Sequence, residues 1–190
     1  MLATANEHKA REMRQVLEPL GIGLLPRPSD VDDVEETEAT LEGNSLLKAR
    51  ALTLATGLAA IADDTGLFID ALDGRPGVYS ARYAGEHASF EDNVQKVLHE
   101  LEGVDSSQRG AHFRSVIALT LPDDTAWWVD GVLDGRILTS PIGGGGFGYD
   151  AIFAPTNCER SLAQLGADEK NAISHRGRAL RAFATTLTSS

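Results

Sequence analysis

Apolar residues recur at the spacing of an amphipathic helix in four parts of the chain. In the first part, one helix face is predicted to carry Met13, Val16, Leu17 and Leu20. Asn6 stands where an N-cap is expected, and Gly21 stands where helices commonly end. The pattern predicts a first helix between Asn6 and Gly21 and a second from Thr40 to about Ala55, with Leu47, Ala51 and Leu54 on one side. A third helix is predicted to begin at a capping box, Ser89–Asp92, and a fourth at Ser174.

Short apolar runs typical of β-strands lie between these helices. The segment Asp63-Asp64-Thr65-Gly66 interrupts one run, so we predict two strand pieces, 58–62 and 67–69. Two longer runs, 113–121 and 127–133, flank a turn and predict paired strands, and 151–153 predicts another strand. Because helices and strands alternate early while antiparallel strands dominate the middle, the chain predicts an α/β fold with a mixed sheet.

The composition is that of a soluble globular protein. The chain has 190 residues, 42% of them apolar, which lets one domain over residues 1–190 bury a core without a disulfide or a metal. With 17 Lys and Arg against 28 Asp and Glu, the net charge of −11 argues against a broad surface for polymeric nucleic acid or membranes. The sequence has one cysteine, no pattern of a signal peptide and no apolar run near the roughly 20 residues of a membrane span. We therefore expect a cytoplasmic enzyme or binding domain.

Thr4, Asn6 and Lys9 lie between a short apolar start and the first predicted helix. A helix N-terminus presents free N–H groups and a partial positive charge, to which anions bind. Thr4 and Asn6 add neutral donors and Lys9 adds a cation, so the segment is a candidate phosphate site. The alternative is ordinary helix capping beside a surface lysine.

Asp63 and Asp64 follow an apolar run as two adjacent carboxylates, which is costly because like charges raise each other's pKa. Mg²⁺ removes that cost, and it binds through one or two carboxylates together with substrate phosphates. Since neighbouring side chains of a strand point to opposite faces, only one of the two acids can enter such a site directly. The alternative is a turn in which one acid bonds backbone amides.

Glycines between positions 143 and 148 match the spacing of a dinucleotide fingerprint but lead into a predicted strand instead of a helix. We interpret them as a flexible loop that presents the Phe147 ring and the Asp150 carboxylate to a base. The alternative is a hairpin turn packed by Phe147 and Tyr149.

Lys170, His175 and Arg176 cluster around the start of the last predicted helix, where the helix dipole does not favour cations. We therefore expect these side chains to donate to one ligand, with solvent-exposed cations as the alternative. Lys48 and Arg82 are further candidate phosphate partners, or surface residues that cover apolar neighbours.

Together and in this order, these motifs resemble the inosine triphosphate pyrophosphatase family, also described as XTP/dITP diphosphatases. The matched stretches are Leu2–Lys9, Asn44–Arg50, Ile61–Leu67, Arg75–Tyr83, Gly145–Asp150 and Glu169–Gly177. The resemblance implies an α/β fold with an elongated mixed β-sheet flanked by helices, and two lobes around a central nucleotide cleft. It also implies a homodimer and Mg²⁺-dependent cleavage of noncanonical purine nucleotides (ITP, dITP, XTP) to the monophosphate and pyrophosphate.

The resemblance further implies roles for residues at the matched positions. Asp64 would bind metal and activate water, and the second metal carboxylate would be Glu35 or Glu36, with Glu35 preferred by its spacing. The triphosphate and sugar would be bound by Thr4, Ala5, Asn6, Glu7, His8, Lys9, Lys48, Thr65 and Arg82. The base and its surroundings would be contacted by Phe147, Gly148, Tyr149, Asp150, Lys170, His175 and Arg176. A donor that faces a 6-keto oxygen would be left unpaired against adenine and would disfavour it.

Two other functions stay open at this point. One is a Mg²⁺-dependent nucleoside triphosphate pyrophosphatase of a different base preference, such as a dUTP or a general pyrophosphatase. The other is a catalytically silent nucleotide-binding module, which is conceivable because Gly43 stands where many relatives of the family have an acid.

Overall fold

The computed structural model describes residues 1–4, 6–32 and 34–189 of the chain. Its helices are α1 (Glu7–Leu17), α2 (Leu41–Thr56), α3 (Phe90–Glu100), α4 (Ala167–Ile173) and α5 (His175–Ser189). Its strands are β1 (Ala60–Ile69), β2 (Pro76–Gly77), β3 (Gly110–Thr120), β4 (Ala126–Ile137) and β5 (Phe153–Pro155).

The strands described here form one sheet in the order β2-β1-β3-β4-β5. β2 pairs antiparallel with β1, and β5 pairs antiparallel with β4. A bridge between Leu2 and Ile61 is parallel and adds the N-terminal segment beside β1. The predicted α/β class is confirmed.

α1 begins and ends close to where the sequence predicts. Asn6 Oδ1 accepts hydrogen bonds from the amides of His8 and Lys9 and so caps the helix. Met13 and Leu17 are fully buried, whereas Leu20 is 51% exposed, so its assignment to the same buried face is wrong. A 3₁₀ turn follows α1 and ends at Gly21, whose φ of 79° lies in the left-handed region that favours glycine.

α2 begins after Thr40 as predicted, but its buried side is not the apolar side read from the sequence. Leu54 is 83% exposed, which makes that part of the prediction wrong. The residues buried instead are Leu41, Asn44, Ser45, Ala49, Leu52 and Thr53. The polar members of this set are hydrogen-bonded, for example Ser45 Oγ to the Val116 carbonyl, so their burial carries little penalty.

β1 is one continuous strand, so the prediction of two strand pieces interrupted at Asp63–Gly66 is wrong. Seen in sequence, the acids look like a break because charged side chains are rarely buried in strands. In the structure each acid contacts cationic side chains, and this pairing lets the extended backbone continue through both.

The chain divides into two compact units, each with its own core. Unit 1 consists of Met1–Thr65, Ser115–Gly131 and Ser174–Ser190, and unit 2 consists of Gly66–Arg114 and Val132–Ile173. The core of unit 1 joins Met13 and Leu17 of α1 to Phe183 of α5. The core of unit 2 packs α3 against aromatic residues that include Phe113 and Phe153.

α5 begins directly after Ser174, as predicted, and the Ser174 hydroxyl accepts a hydrogen bond from the Gly177 amide. A Cβ at Gly131 of β4 would lie 2.3 Å from the His175 carbonyl oxygen, so only glycine allows this close approach. α4 was not predicted. Across the described residues, no helix is both long and apolar enough to cross a membrane.

Candidate active site

Asp63 and Asp64 lie side by side on β1 and are both buried, with exposures of 1% and 4%. Their side chains meet different cations, as expected for neighbours on a strand. Asp64 Oδ1 lies 3.2 Å from Lys48 Nζ, and Asp63 Oδ2 lies 3.1 Å from Arg176 Nη2. The two acids therefore have separate surroundings within unit 1.

Asp64 keeps one carboxylate oxygen without a hydrogen bond. Its Oδ2 is buried and has no hydrogen-bond partner in the described part of the chain. Burial raises the pKa of Asp64 above its ordinary value; Lys48 and Lys9 oppose this shift, and Glu36 and Asp63 add to it. Because a buried oxygen without a donor is costly, Oδ2 fits a position that faces a cation or a water molecule.

Lys48 connects Asp64 to a second carboxylate. Its Nζ donates to the Asp63 carbonyl at 2.8 Å, to Glu36 Oε1 at 2.9 Å and to Asp64 Oδ1 at 3.2 Å. Burial lowers the pKa of Lys48, but the charges of Asp64 and Glu36 outweigh it and raise the pKa above its ordinary value. The lysine is therefore a fixed cation between two acids.

Glu36 and not Glu35 is the acid near Asp64. Glu36 is half-buried and pairs with Lys48, whereas Glu35 is exposed. The preference for Glu35 rested on spacing alone, and the loop before α2 turns the next side chain towards Lys48 instead. The geometry thus favours Glu36 as the second carboxylate.

Asp63 is the centre of a buried cationic cluster. Its Oδ2 lies 3.3 Å from Lys9 Nζ and 3.1 Å from both Nε and Nη2 of Arg176. Burial would raise the pKa of Asp63, but Lys9 and Arg176 hold it well below the ordinary value of an aspartate. Asp63 is therefore ionised at neutral pH and fixes the positions of two cations.

Arg176 was expected to belong to the base and its surroundings, which stays a prediction; in the structure three side chains hold its guanidinium. The side chain is 3% exposed, and its donors contact Asp63, Glu12 and, at 3.0 Å, the Thr65 hydroxyl. Burial lowers the pKa of Arg176, and the charges of Asp63 and Glu12 raise it further than burial lowers it. His175 is buried next to it at the start of α5.

The N-terminal segment folds as a helix cap. Thr4 Oγ1 accepts a hydrogen bond from the Asn6 amide at 3.2 Å, and Asn6 Oδ1 occupies the amides of His8 and Lys9. Asn6 is therefore an ordinary helix cap, as the alternative interpretation of this segment predicted. Lys9 differs from that interpretation, because it pairs with Asp63 instead of lying free on the surface. Glu7 and His8 are exposed, and Ala5 lies outside the described residues.

The remaining predicted residues lie in unit 2. Lys170 Nζ donates to Asp150 Oδ2 at 2.6 Å and lies 4.9 Å from the centroid of the Phe147 ring. The same Asp150 oxygen accepts from the Phe147 amide at 2.8 Å. Asp150 and Lys170 are buried, and this Asp150 oxygen holds its own loop together; a contact of Asp150 with a base stays a prediction.

Tyr149, Gly148 and Arg82 also lie in unit 2. The buried Tyr149 hydroxyl donates to the Ser80 carbonyl at 2.8 Å, and Gly148 has a φ of 60°. The Arg82 guanidinium carbon lies 5.5 Å from the centroid of the Tyr79 ring. Its Nε lies 3.8 Å from Glu86, on the same short stretch.

The acids around Lys48 fit a divalent cation of the magnesium type. No group of three or more His, Cys, Asp or Glu side chains placed to hold a metal occurs among the described residues. Mg²⁺ needs fewer protein ligands, because it keeps several waters and takes oxygens from substrate phosphates. The carboxylates of Asp64 and Glu36, with the orphaned Asp64 Oδ2, provide such a donor set.

Sequence reasoning missed two residues that complete this region. Glu12 contacts Arg176 from α1, and the Ser115 hydroxyl of β3 bonds the Thr65 hydroxyl. Glu12 could have been found because it lies three positions after Lys9 and so shares its helix face. Ser115 lies in an apolar strand and carries no such signal.

Comparison with known proteins places this geometry in context. The model of the Ham1 family matches residues 1–186. A dITP/XTP pyrophosphatase of Chlorobaculum tepidum is 52% identical over 206 residues, which cover 97% of this chain and 90% of the relative. A dITP/XTP pyrophosphatase of Bacillus subtilis is 43% identical over 189 residues, which cover 98% of this chain and 96% of the relative. The solved structure of a HAM1 protein from Coxiella burnetii matches with a TM-score of 0.90 at 45% identity, covering 100% of this chain and 98% of the other.

Proposed function

Because this chain belongs to the Ham1 family, we propose that it is a nucleoside triphosphate pyrophosphohydrolase. It cleaves noncanonical purine nucleotides (dITP, XTP and ITP) to the monophosphate and pyrophosphate. The relatives named dITP/XTP pyrophosphatase, similar over nearly the full chain, support this substrate class. The observation that carries the proposal is the buried Asp64 carboxylate: it pairs with Lys48, and its Oδ2 has no donor in the described part of the chain. Asp63 also has one such oxygen, but cations lower its pKa, whereas burial raises the pKa of Asp64.

Asp64 and Glu36 would hold Mg²⁺. When bound, this ion neutralises phosphate charge and lowers the pKa of a bound water. The chain's own residues set up the rest of the reaction. Asp64 Oδ2 would serve either as a ligand of this ion or as the base that receives the proton of the attacking water; in both roles it orients that water towards the bond between the α- and β-phosphates.

Lys48 and Lys9 supply the positive charge that the departing pyrophosphate needs. Both ammonium groups are held in place by carboxylates, Lys48 by Asp64 and Glu36, and Lys9 by Asp63. Prepositioned cations stabilise charge that develops in the transition state without reorganising at that moment. Because carboxylates balance these cations in a chain with a net charge of −11, a bound Mg²⁺ would add the positive charge that attracts a triphosphate.

Phe147 and Lys170 of unit 2 are proposed for the base. Phe147 is partly exposed and offers an aromatic face on which a purine can stack. Lys170 is a buried cation beside that ring, and it can donate to a 6-keto oxygen, whereas the 6-amino group of adenine offers it no acceptor. Substrates with a 6-keto group are thereby favoured over ATP.

A panel of triphosphates tests this proposal. Pyrophosphate release is measured with ITP, XTP, dITP, GTP, ATP and dUTP, in Mg²⁺ and in EDTA. Release from ITP, XTP and dITP that exceeds release from ATP by at least about 100-fold and requires Mg²⁺ supports the proposal. Preference for dUTP, or equal turnover of all six, indicates a pyrophosphatase of different base preference. Tight binding of ITP without turnover indicates a silent nucleotide-binding module.

We also propose a homodimer and a cytoplasmic location. Light scattering on the purified protein measures the mass directly against the 20.2 kDa of one chain. A mass of one chain at micromolar concentration would contradict the dimer.

A further inference from the structure

Glu12 of α1 contacts the guanidinium of Arg176, at the first residues of α5. The Glu12 carboxylate pairs with Arg176 Nη1, and both side chains are largely buried, with 13% and 3% exposed. Glu12 belongs to none of the motifs that identify the proposed site.

The Arg176 guanidinium is held on all of its nitrogens. Nε and Nη2 each lie 3.1 Å from Asp63 Oδ2, Nη2 also donates to Thr65 Oγ1 at 3.0 Å, and Nη1 donates to Glu12. Because the guanidinium is a rigid plane with donors in fixed directions, these acceptors define both its position and its rotation. Glu12 supplies the only one of these contacts that comes from α1.

Arg176 and Lys9 share a single oxygen atom of Asp63. Asp63 Oδ2 accepts from Arg176 and lies 3.3 Å from Lys9 Nζ. If Arg176 rotates, the Asp63 carboxylate loses two aligned donors and Lys9 loses its fixed anchor. The cation assigned to the triphosphate then moves.

We propose that Glu12 is a positioning residue of the phosphate site: it orients Arg176, which aligns Asp63 and thereby fixes Lys9 and Thr65. This inference rests on the proposed function, in which Lys9 binds the triphosphate. It predicts that an acceptor at the distance of the Glu12 carboxylate matters more than the negative charge.

Three substitutions of Glu12 separate these contributions. Glu12→Gln keeps an acceptor oxygen at the same distance, Glu12→Asp keeps the charge but withdraws it by one methylene, and Glu12→Ala removes both. Glu18→Ala is the matched control, since Glu18 is exposed just after the same helix. For each variant, kcat and KM for ITP with Mg²⁺ are measured, together with the affinity for inorganic tripolyphosphate in metal-free buffer and the Tm.

We expect Glu12→Asp and Glu12→Ala to lose about tenfold or more in kcat/KM and to lose tripolyphosphate affinity in parallel. Both quantities are measured at a temperature well below the Tm of each variant. Glu12→Gln retains at least about one third of both quantities, because an amide oxygen still accepts from Nη1. If Glu12→Ala does not fold, the comparison of Glu12→Gln with Glu12→Asp decides.

Two results overturn the inference. In one, Glu12→Asp matches Glu18→Ala in kcat/KM and in tripolyphosphate affinity. In the other, Glu12→Gln loses as much as Glu12→Asp, which would assign the effect to charge. Failure of the proposed function is distinguishable, since the unsubstituted protein would then release no pyrophosphate from ITP.

Discussion

Asp63 and Arg176 are 113 positions apart in the chain and form a buried ion pair in which one carboxylate oxygen accepts two hydrogen bonds of 3.1 Å. The next residue, Asp64, pairs with Lys48. Each acid keeps one buried oxygen, Asp63 Oδ1 and Asp64 Oδ2, without a hydrogen-bond partner among the described residues. The two acids differ in their charge balance, because Lys9 and Arg176 lower the pKa of Asp63 whereas burial raises the pKa of Asp64.

This difference predicts opposite effects on stability. In metal-free buffer at neutral pH, Asp63→Asn should lower the free energy of unfolding by about 3 kcal/mol, because it leaves the buried Arg176 charge poorly compensated. Asp64→Asn should leave that free energy unchanged or raise it, because burial disfavours the Asp64 carboxylate. Urea unfolding of the three proteins measures both values, and equal losses in the two variants would contradict the assignment.

The pH dependence of stability gives an independent check on Asp63. Its pKa is lowered on folding, so ionised Asp63 contributes stability above its unfolded pKa of about 4, and this contribution is lost as the pH falls towards the folded pKa. The stability difference between the unsubstituted protein and Asp63→Asn should therefore be constant from pH 5 to 8 and shrink below about pH 4. A difference that grows on acidification has the wrong sign for this ion pair.

The two neighbouring glutamates before α2 are predicted to differ in their effect on Mg²⁺. Glu36→Gln should raise the Mg²⁺ concentration for half-maximal activity by about tenfold or more, because Glu36 lies beside Asp64 and Lys48. Glu35→Gln is the matched control and should change it by less than about twofold, a size typical of exposed surface positions. The measurement is a Mg²⁺ titration of pyrophosphate release at saturating ITP, and the reverse order would restore the preference for Glu35.

Phe147 should act on the base and not on the phosphates. Stacking of a base on an aromatic ring is worth about 1–3 kcal/mol, so Phe147→Leu should raise KM for ITP by about tenfold. Phe147→Tyr keeps the ring and should keep KM within about threefold. Tripolyphosphate affinity should be the same in both variants, and a loss of that affinity in Phe147→Leu would show a general disturbance instead of a base contact.

Local patterns predicted where three helices begin, because capping depends on residues close in sequence. Asn6, Thr40 and Ser89 each cap the helix that their position predicted. The continuity of β1 could not be predicted, since it depends on cations that approach Asp63 from distant α1 and α5. From the sequence alone, an acid buried in a strand cannot be distinguished from an acid in a turn, because the distant partners are not known.

The composition of the candidate site was easier to predict than the direction of its side chains. Lys9, Lys48, Asp64 and Thr65 lie together in unit 1, as the motifs imply. The direction of the Arg176 side chain depends on Glu12 and Asp63, which are distant in sequence. A local motif around Arg176 therefore could not predict which side chains its guanidinium contacts.

We propose that the Asp64 carboxylate drives hydrolysis of the triphosphate, and the turnover of Asp64→Asn tests this role directly. The variant keeps the size of the side chain, and Asp73→Asn is the control, an exposed position whose left-handed backbone suits asparagine. With saturating ITP and Mg²⁺, we predict that kcat for pyrophosphate release falls by about 10³-fold or more in folded Asp64→Asn and stays unchanged in Asp73→Asn. A kcat within about threefold of the unsubstituted protein would contradict the account.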